Sequence, residues 1–467
     1  MLFRSGRAAF RFEPGEGWSF ETSLLTQQID AKDAAYSETT SGSLLRRAAA
    51  AQPYESDITL LRAVIRKSWA SGLEMVSATG FVRTKASDTF DATRLFPFPG
   101  PVVYQVDQDG LLLSHETHFS RKDSNGLSWV GGLALLYDRA AQSRVIGTLA
   151  NPIEIIGVTN QTRSASIFGE ATFPVTSRLA VTAGARGTIA QTQGEPSLRP
   201  REEPSERGFP LRRVQPAIAV SWLLAPRLST FARFQTGYRT GGLAVARGLG
   251  RIATYRPDSI QVGEIGLRHE RGGARGLAFS AAFSLASWQD IQADLYSRRS
   301  QPYTSNIGDA KIAAVEVTGD WIPLPGLQTS FALLWTENRT SGELAGTAPL
   351  QNRHLPDTPP FSGNLGIEYQ RSLGGGHAFK IGGTLRYVGR SVLGTGDFLD
   401  VSQGDYATLS AAGMWRWRNL EATINLDNVT NEDANKFAMG NPLTFGGREQ
   451  SVPLRPRNVR IGIGLRW

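Results

Sequence analysis

The chain contains no cysteine. That absence removes disulfide frameworks, thiol nucleophiles and cysteine-based metal sites together. Also missing is any uninterrupted apolar run of about 18 residues, the length a membrane-crossing helix needs, so an integral helical membrane protein is excluded. Acidic residues do not dominate, and the basic ones are not gathered. Fifty Lys and Arg are scattered among 42 Asp and Glu, for a net charge of +8. Without a concentrated basic run, nucleic acid is not expected as a partner. The N-terminal MLFRSGRAAF lacks the apolar core of a secretory signal and passes into charged sequence at Arg11 to Glu16.

What is present is alternation. In the C-terminal RNVRIGIGLRW, Val459, Ile461, Ile463, Leu465 and Trp467 take every second position, and Arg460, Gly462, Gly464 and Arg466 take those between. This period of two predicts a strand with one apolar face. Similar segments recur at Asn364 to Gln370, Ile381 to Tyr387 and Leu420 to Val429. Short turns punctuate the chain at Pro14, Ser68, Lys122, Val175, Leu224, Glu270, Pro323, Leu373 and Arg416, rich in the Gly, Pro, Asn and Ser that turn chemistry requires. Longer polar stretches, Thr192 to Pro210 and Asn428 to Pro456 among them, alternate with these turns.

Two strands per short turn plus the terminal one give about nineteen. The expected fold is all-β: a transmembrane antiparallel up-and-down β-barrel whose neighbours in sequence pair throughout. A repeat near 50 residues also fits a soluble kelch-like β-propeller, but a propeller packs four short strands into each repeat. Tryptophan separates the two. Trp18, Trp69, Trp129, Trp222, Trp321, Trp415 and Trp417 lie at or near short turns and Trp467 at the chain end, whereas Trp288 and Trp335 lie toward the long loops. Two levels of amphipathic rings are what a membrane barrel places at its two headgroup regions.

Several stretches resemble the C-terminal barrel of TonB-dependent outer-membrane receptors. YRPDSIQVGEIGLRHE (255–270), SNIGDAKIAAVEVTGDWIPLPGLQTS (305–330), LPDTPPFSGNLGIEY, NLDNVTNE and the terminal PLRPRNVRIGIGLRW are similar to that family's segments in order and spacing. One departure is Ala314, where the family commonly has Gly before Val-Glu. The resemblance implies a 22-stranded barrel in a Gram-negative outer membrane, with a plug in its lumen and coupling to a periplasmic TonB-type protein through that plug. By this comparison residues 1–467 form the barrel domain, with about 19 strands of the 22, Arg7 to Glu13 being the fourth. Plug, coupling box and signal peptide are expected to be missing, so the TonB-type partner enters only if the full protein carries a plug. An odd strand number would force the first and last strands to meet in parallel if the barrel closed.

The resemblance also implies a receptor that imports a scarce nutrient such as a siderophore-metal chelate, is inserted by the barrel-assembly machinery as a monomer in outer-membrane lipid, and reads Trp467 as an assembly signal. A passive porin-like channel is the alternative within the same fold. No cofactor, metal site or enzymatic activity is expected. HETH offers His115 and His118, but residues three apart on a strand point to opposite faces. No Gly-x-Ser-x-Gly elbow occurs, and GLGR at Gly248 and GGGH at Gly374 lack the strand-to-helix setting of a phosphate loop. The candidates for ligand contact are lumen cations and their neighbours: Arg233, Gln235 and Arg239 on one strand face, and Arg386 and Arg390 on another. Such guanidinium groups near the mouth attract anionic cargo.

Overall fold

The structure is a computed structural model, and it describes residues 2–38, 44–96, 99–246, 248, 250–296, 302–342, 353–395, 399–444 and 449–465. Nineteen long strands form one sheet: β1 (Leu2–Gly15), β2 (Trp18–Ala31), β3 (Tyr54–Ser68), β4 (Leu73–Asp91), β5 (Val103–Lys122), β6 (Ser128–Thr148), β7 (Asn151–Pro174), β8 (Leu179–Pro196), β9 (Gly208–Ala225), β10 (Leu228–Arg239), β11 (Asp258–His269), β12 (Gly276–Gln289), β13 (Asp309–Leu324), β14 (Leu327–Ser341), β15 (Phe361–Leu373), β16 (His377–Val388), β17 (Tyr406–Trp417), β18 (Leu420–Asp427) and β19 (Asn458–Leu465). Each pairs antiparallel with the next in sequence, from β1 with β2 to β18 with β19. This continuous meander replaces the separate blades a propeller requires. Among the described residues no ladder joins β1 to β19.

All nine expected turns connect strand pairs. The first is a two-residue turn in which Glu16 and Gly17 both take positive φ, 51° and 76°, the pair of left-handed residues that matches the right-handed twist of a hairpin. The expected loop Thr192 to Pro210 is shorter than its composition suggested. Thr192 pairs with Phe209 and Gln193 with Gly208, so the ladder continues through polar sequence. Above the lipid a strand no longer needs an apolar outer face, and its alternation fades while its hydrogen bonds persist.

Register carries one apolar face across the sheet. Leu365 faces Leu385, which faces Leu409, and Ile424 faces Ile461. These side chains point outward and are bare: Ile461 is 77% exposed, Ile463 78% and Ile167 73%. A belt of naked aliphatic groups around a sheet is unstable in water and suited to hydrocarbon. Trp69, Trp129, Trp222, Trp321, Trp415 and Trp417 are exposed at the short-turn level, and Trp18 stacks on Phe20 there with ring centroids 5.7 Å apart. At the long-loop level Trp335 and Phe361 face outward opposite each other. Trp288 does not join them. It lies on the inner face, donating from Nε1 to Asp258 Oδ2 at 3.1 Å, because its odd-even position on β12 is that of the lumen side. Trp467 lies outside the described residues.

Buried side chains gather at the long-loop end in small separate clusters, one around Val102, Tyr104, Ile146 and Leu443 and another around Ile291, Leu295 and Ile307. Short ribbons build this crown: 242–245 with 252–255, 292–296 with 302–306, and 435–437 with 450–453. The last ribbon also pairs with residues 37–38. A fully buried Asn441 donates to Asp91 O at 2.9 Å, and Gln450 Oε1 accepts the backbone N–H of Gly440 and Asn441, each at 2.7 Å. The connection between β18 and β19 thereby clasps those between β2 and β3 and between β4 and β5. The two ends of the sheet meet at the crown through loops.

Candidate functional site

Beneath this clasp, against the inner wall of β16 to β19, lies a cavity of about 1160 Å³. Its wall follows from register. Leu385 and Leu409 face outward, so their neighbours Arg386 and Thr408, opposite each other, face in. On β18 and β19 the same alternation turns Asp427 and Arg460 inward, paired at 3.0 Å between Arg460 Nη2 and Asp427 Oδ2. The last long loop adds Lys436, Arg455 and Arg457, and the first adds Tyr36 and Ser37. Five cations thus meet one carboxylate among the described residues. Among the described residues Arg386, Lys436, Arg455 and Arg457 have no acidic partner, which leaves four positive charges to draw an anion into a wide mouth.

The five residues predicted from sequence do not form one site. Arg386 lines this cavity. Arg233 faces the lumen elsewhere and is held by Glu264 Oε2 at 3.1 Å, an oxygen that also accepts from Ser284 at 3.1 Å. Gln235 follows on the same face. Arg239 is committed to structure: Nε donates to Asp258 Oδ2 at 2.8 Å, Nη2 donates to Gln292 O at 3.1 Å, and the guanidinium lies 5.3 Å from the Trp288 ring centroid. Arg390 stands past the end of β16 rather than sharing its face with Arg386, and it pairs with Asp405 at 2.9 Å. That hydrogen bond and a second from the Tyr387 hydroxyl at 3.1 Å hold the Asp405 carboxyl below the usual range. His115 and His118 point to opposite faces, the first bonded to Thr79 at 2.9 Å and the second to Glu116 at 3.2 Å.

Lys436, Arg455 and Arg457 were not singled out from sequence. For Arg455 and Arg457 the available signal was the basic run PLRPRNVR between a long loop and the closing strand; Lys436 stands outside it. Its aim at Arg386 depends on the loop's path over the mouth.

An antiparallel meander with an apolar outside, a polar inside and a crown of ribbons defines a membrane-spanning β-barrel of the transport class. The family model for the TonB-dependent receptor-like β-barrel matches residues 5–431, and the chain belongs to that family. Its members are outer-membrane receptors of Gram-negative bacteria. No curated protein matches the sequence. Among solved structures, the ferric yersiniabactin uptake receptor FyuA from Yersinia pestis superposes with a TM-score of 0.78 at 16% identity, over 99% of this chain and 70% of that one. The ferric-catecholate import receptor Fiu from E. coli K12 gives 0.73 at 13%, over 99% and 74%. The ferric citrate transporter FecA gives 0.74 at 12%, over 99% and 70%. At these identities the likeness is one of fold.

Proposed function

We propose that this chain works in the outer membrane of a Gram-negative cell as the barrel of a receptor that takes up a scarce nutrient, an anionic metal chelate of the siderophore type. The observation that carries this reading is the cavity under the clasp, where Arg386, Lys436, Arg455 and Arg457 converge with no acidic partner among the described residues. A chelate rich in carboxylate or catecholate oxygens presents several negative charges at once, and convergent guanidinium groups bind such groups through charge-assisted, often bidentate hydrogen bonds. The reading has two supports: membership of the family, and structural neighbours named for uptake and import of ferric chelates. Energy coupling through a TonB-type protein belongs to it wherever the full protein carries a plug domain.

The test is binding of two ferric probes to the purified barrel in detergent, the anionic citrate complex and a neutral hydroxamate complex. The anionic probe should bind more tightly, and Arg386→Ala with Arg455→Ala should weaken it about tenfold or more while leaving the neutral probe unchanged. Equal binding of both probes, or no effect of the substitutions, overturns the reading.

A further inference from the structure

Charge is unevenly shared around the short-turn end of the sheet. The first three turns, 16–17, 69–72 and 123–127, carry Glu16 and Asp123 and no cation, whereas the last six carry Arg178, Arg227, Arg271, Arg275 and Arg418 against Glu270. Short turns are periplasmic in barrels of this kind, so the basic side borders the inner leaflet of the membrane.

On β15 to β18 this border consists of two rows. Arg371, Phe379, Trp415 and Ala422 stand at one height, and Leu373, His377, Trp417 and Leu420 stand one step nearer the turns. All eight face outward, since they share the odd-even position of Leu365, Leu385, Leu409 and Ile424 on their strands. The His377 ring stacks on both indoles, its centroid 5.8 Å from that of Trp415 and 5.8 Å from that of Trp417, which joins the three rings into one platform. Arg418 holds its guanidinium over Trp417 at 5.6 Å, and Arg371 flanks the platform from the other side, two strand spacings or about 10 Å away. The carboxylates of these strands point the other way: Glu368 is inside the lumen, where it holds Lys380 at 2.7 Å, and Glu421 is opposite Arg416 on the same inner face. Among the described residues neither Arg371 nor Arg418 has a carboxylate partner. Toward the midplane the outward side chains become bare aliphatics, Ile367, Ile381 and Ile424. Aromatic rings suit any headgroup region, but two unpaired guanidinium groups beside them select for negative charge. A zwitterionic head brings an ammonium that they repel, whereas a head whose one charge is its phosphate is attracted without that penalty.

We propose that this platform is a binding site for an anionic glycerophospholipid of the periplasmic leaflet, with Arg371 and Arg418 on its phosphate and Ile367, Ile381 and Ile424 against its acyl chains. The inference rests on the outer-membrane reading. The experiment uses the full chain, purified in mild detergent and titrated by native mass spectrometry with phosphatidylglycerol and, separately, with phosphatidylethanolamine of the same acyl chains. Phosphatidylglycerol should bind more tightly, and Arg371→Ala with Arg418→Ala should weaken it about thirtyfold. Arg186→Ala, whose guanidinium lies inside the lumen over Phe168 at 5.4 Å, should leave it unchanged. Equal affinity for the two lipids overturns the proposal, and so does phosphatidylglycerol affinity that the double variant leaves unaltered. Heat-modifiable gel mobility separates the two levels. A chain that never shows it fails the membrane reading and this site with it, whereas a heat-modifiable barrel without preference for the anionic lipid fails the site alone.

Discussion

Asp258 and Arg239 face each other in register across β10 and β11, and the aspartate is almost wholly buried while the arginine is half exposed. One carboxylate takes the Arg239 backbone N–H at 3.0 Å, its Nε at 2.8 Å and the Trp288 indole at 3.1 Å. The pair pins the lower edge of the crown, because Arg239 also reaches Gln292 O at the start of the 292–306 ribbon.

Asp258→Ala therefore strips four donors of their acceptor at once, Arg239 Nη2 being the fourth. With the arginine able to turn to water, the cost should be about 2 kcal/mol, read as a lower unfolding midpoint in urea. Arg239→Ala should cost stability too and leave anionic-probe affinity unchanged, the reverse of Arg386→Ala. A loss of probe affinity in Arg239→Ala at unchanged stability would place Arg239 in the ligand site after all.

Gly440 sits against Tyr36 so closely that a Cβ would fall 2.0 Å from the ring's Cγ. The ring is fixed by Gln52 Nε2, which donates to its hydroxyl at 3.0 Å, and cannot step aside cheaply. Gly440→Ala should open the clasp at a cost of about 1–3 kcal/mol, seen as faster protease cleavage within 428–457 while heat-modifiable mobility persists. Unaltered cleavage would mean that the loop is held without this contact.

Burial, with the Asp294 carboxylate adding to it, pushes the Tyr296 phenol up to about 12. Since the folded value lies above the ordinary one of about 10, the crown holds this proton more tightly than an unfolded chain does. Its contribution to stability is complete below about pH 10 and is lost as pH rises toward 12. Phenolate absorbance should show a late-titrating tyrosine that vanishes in Tyr296→Phe, and that variant should lose less crown stability over the same alkaline interval. A titration curve identical in the two proteins would contradict this.

Ile461 is 77% exposed on the outward face of β19. In water, replacing it by lysine would be close to neutral. In hydrocarbon, a cation on a barrel's lipid face costs about 2–4 kcal/mol near the midplane, so Ile461→Lys should reduce membrane-inserted, heat-modifiable chain. Normal insertion would argue against lipid at this face.

The sequence by itself determined the strands, the nine turns between them and which side chains face out. These are properties of neighbouring residues: a strand alternates every two positions, and turn residues select their own backbone angles. The same locality assigned Arg233, Arg239 and Arg386 to the inner face. It could not say that Asp258 would claim Arg239 and Glu264 would claim Arg233 while Arg386 met no carboxylate among the described residues, since each outcome depends on what the neighbouring strand presents at the same height. Trp288 was read by its height alone, and only the tertiary structure turned it inward onto Asp258. The clasp between Ser37 and Ser451 and the convergence of Lys436, Arg455 and Arg457 on Arg386 were decided by tertiary structure as well. They join residues through loop paths and strand stagger, which no short period in the chain encodes.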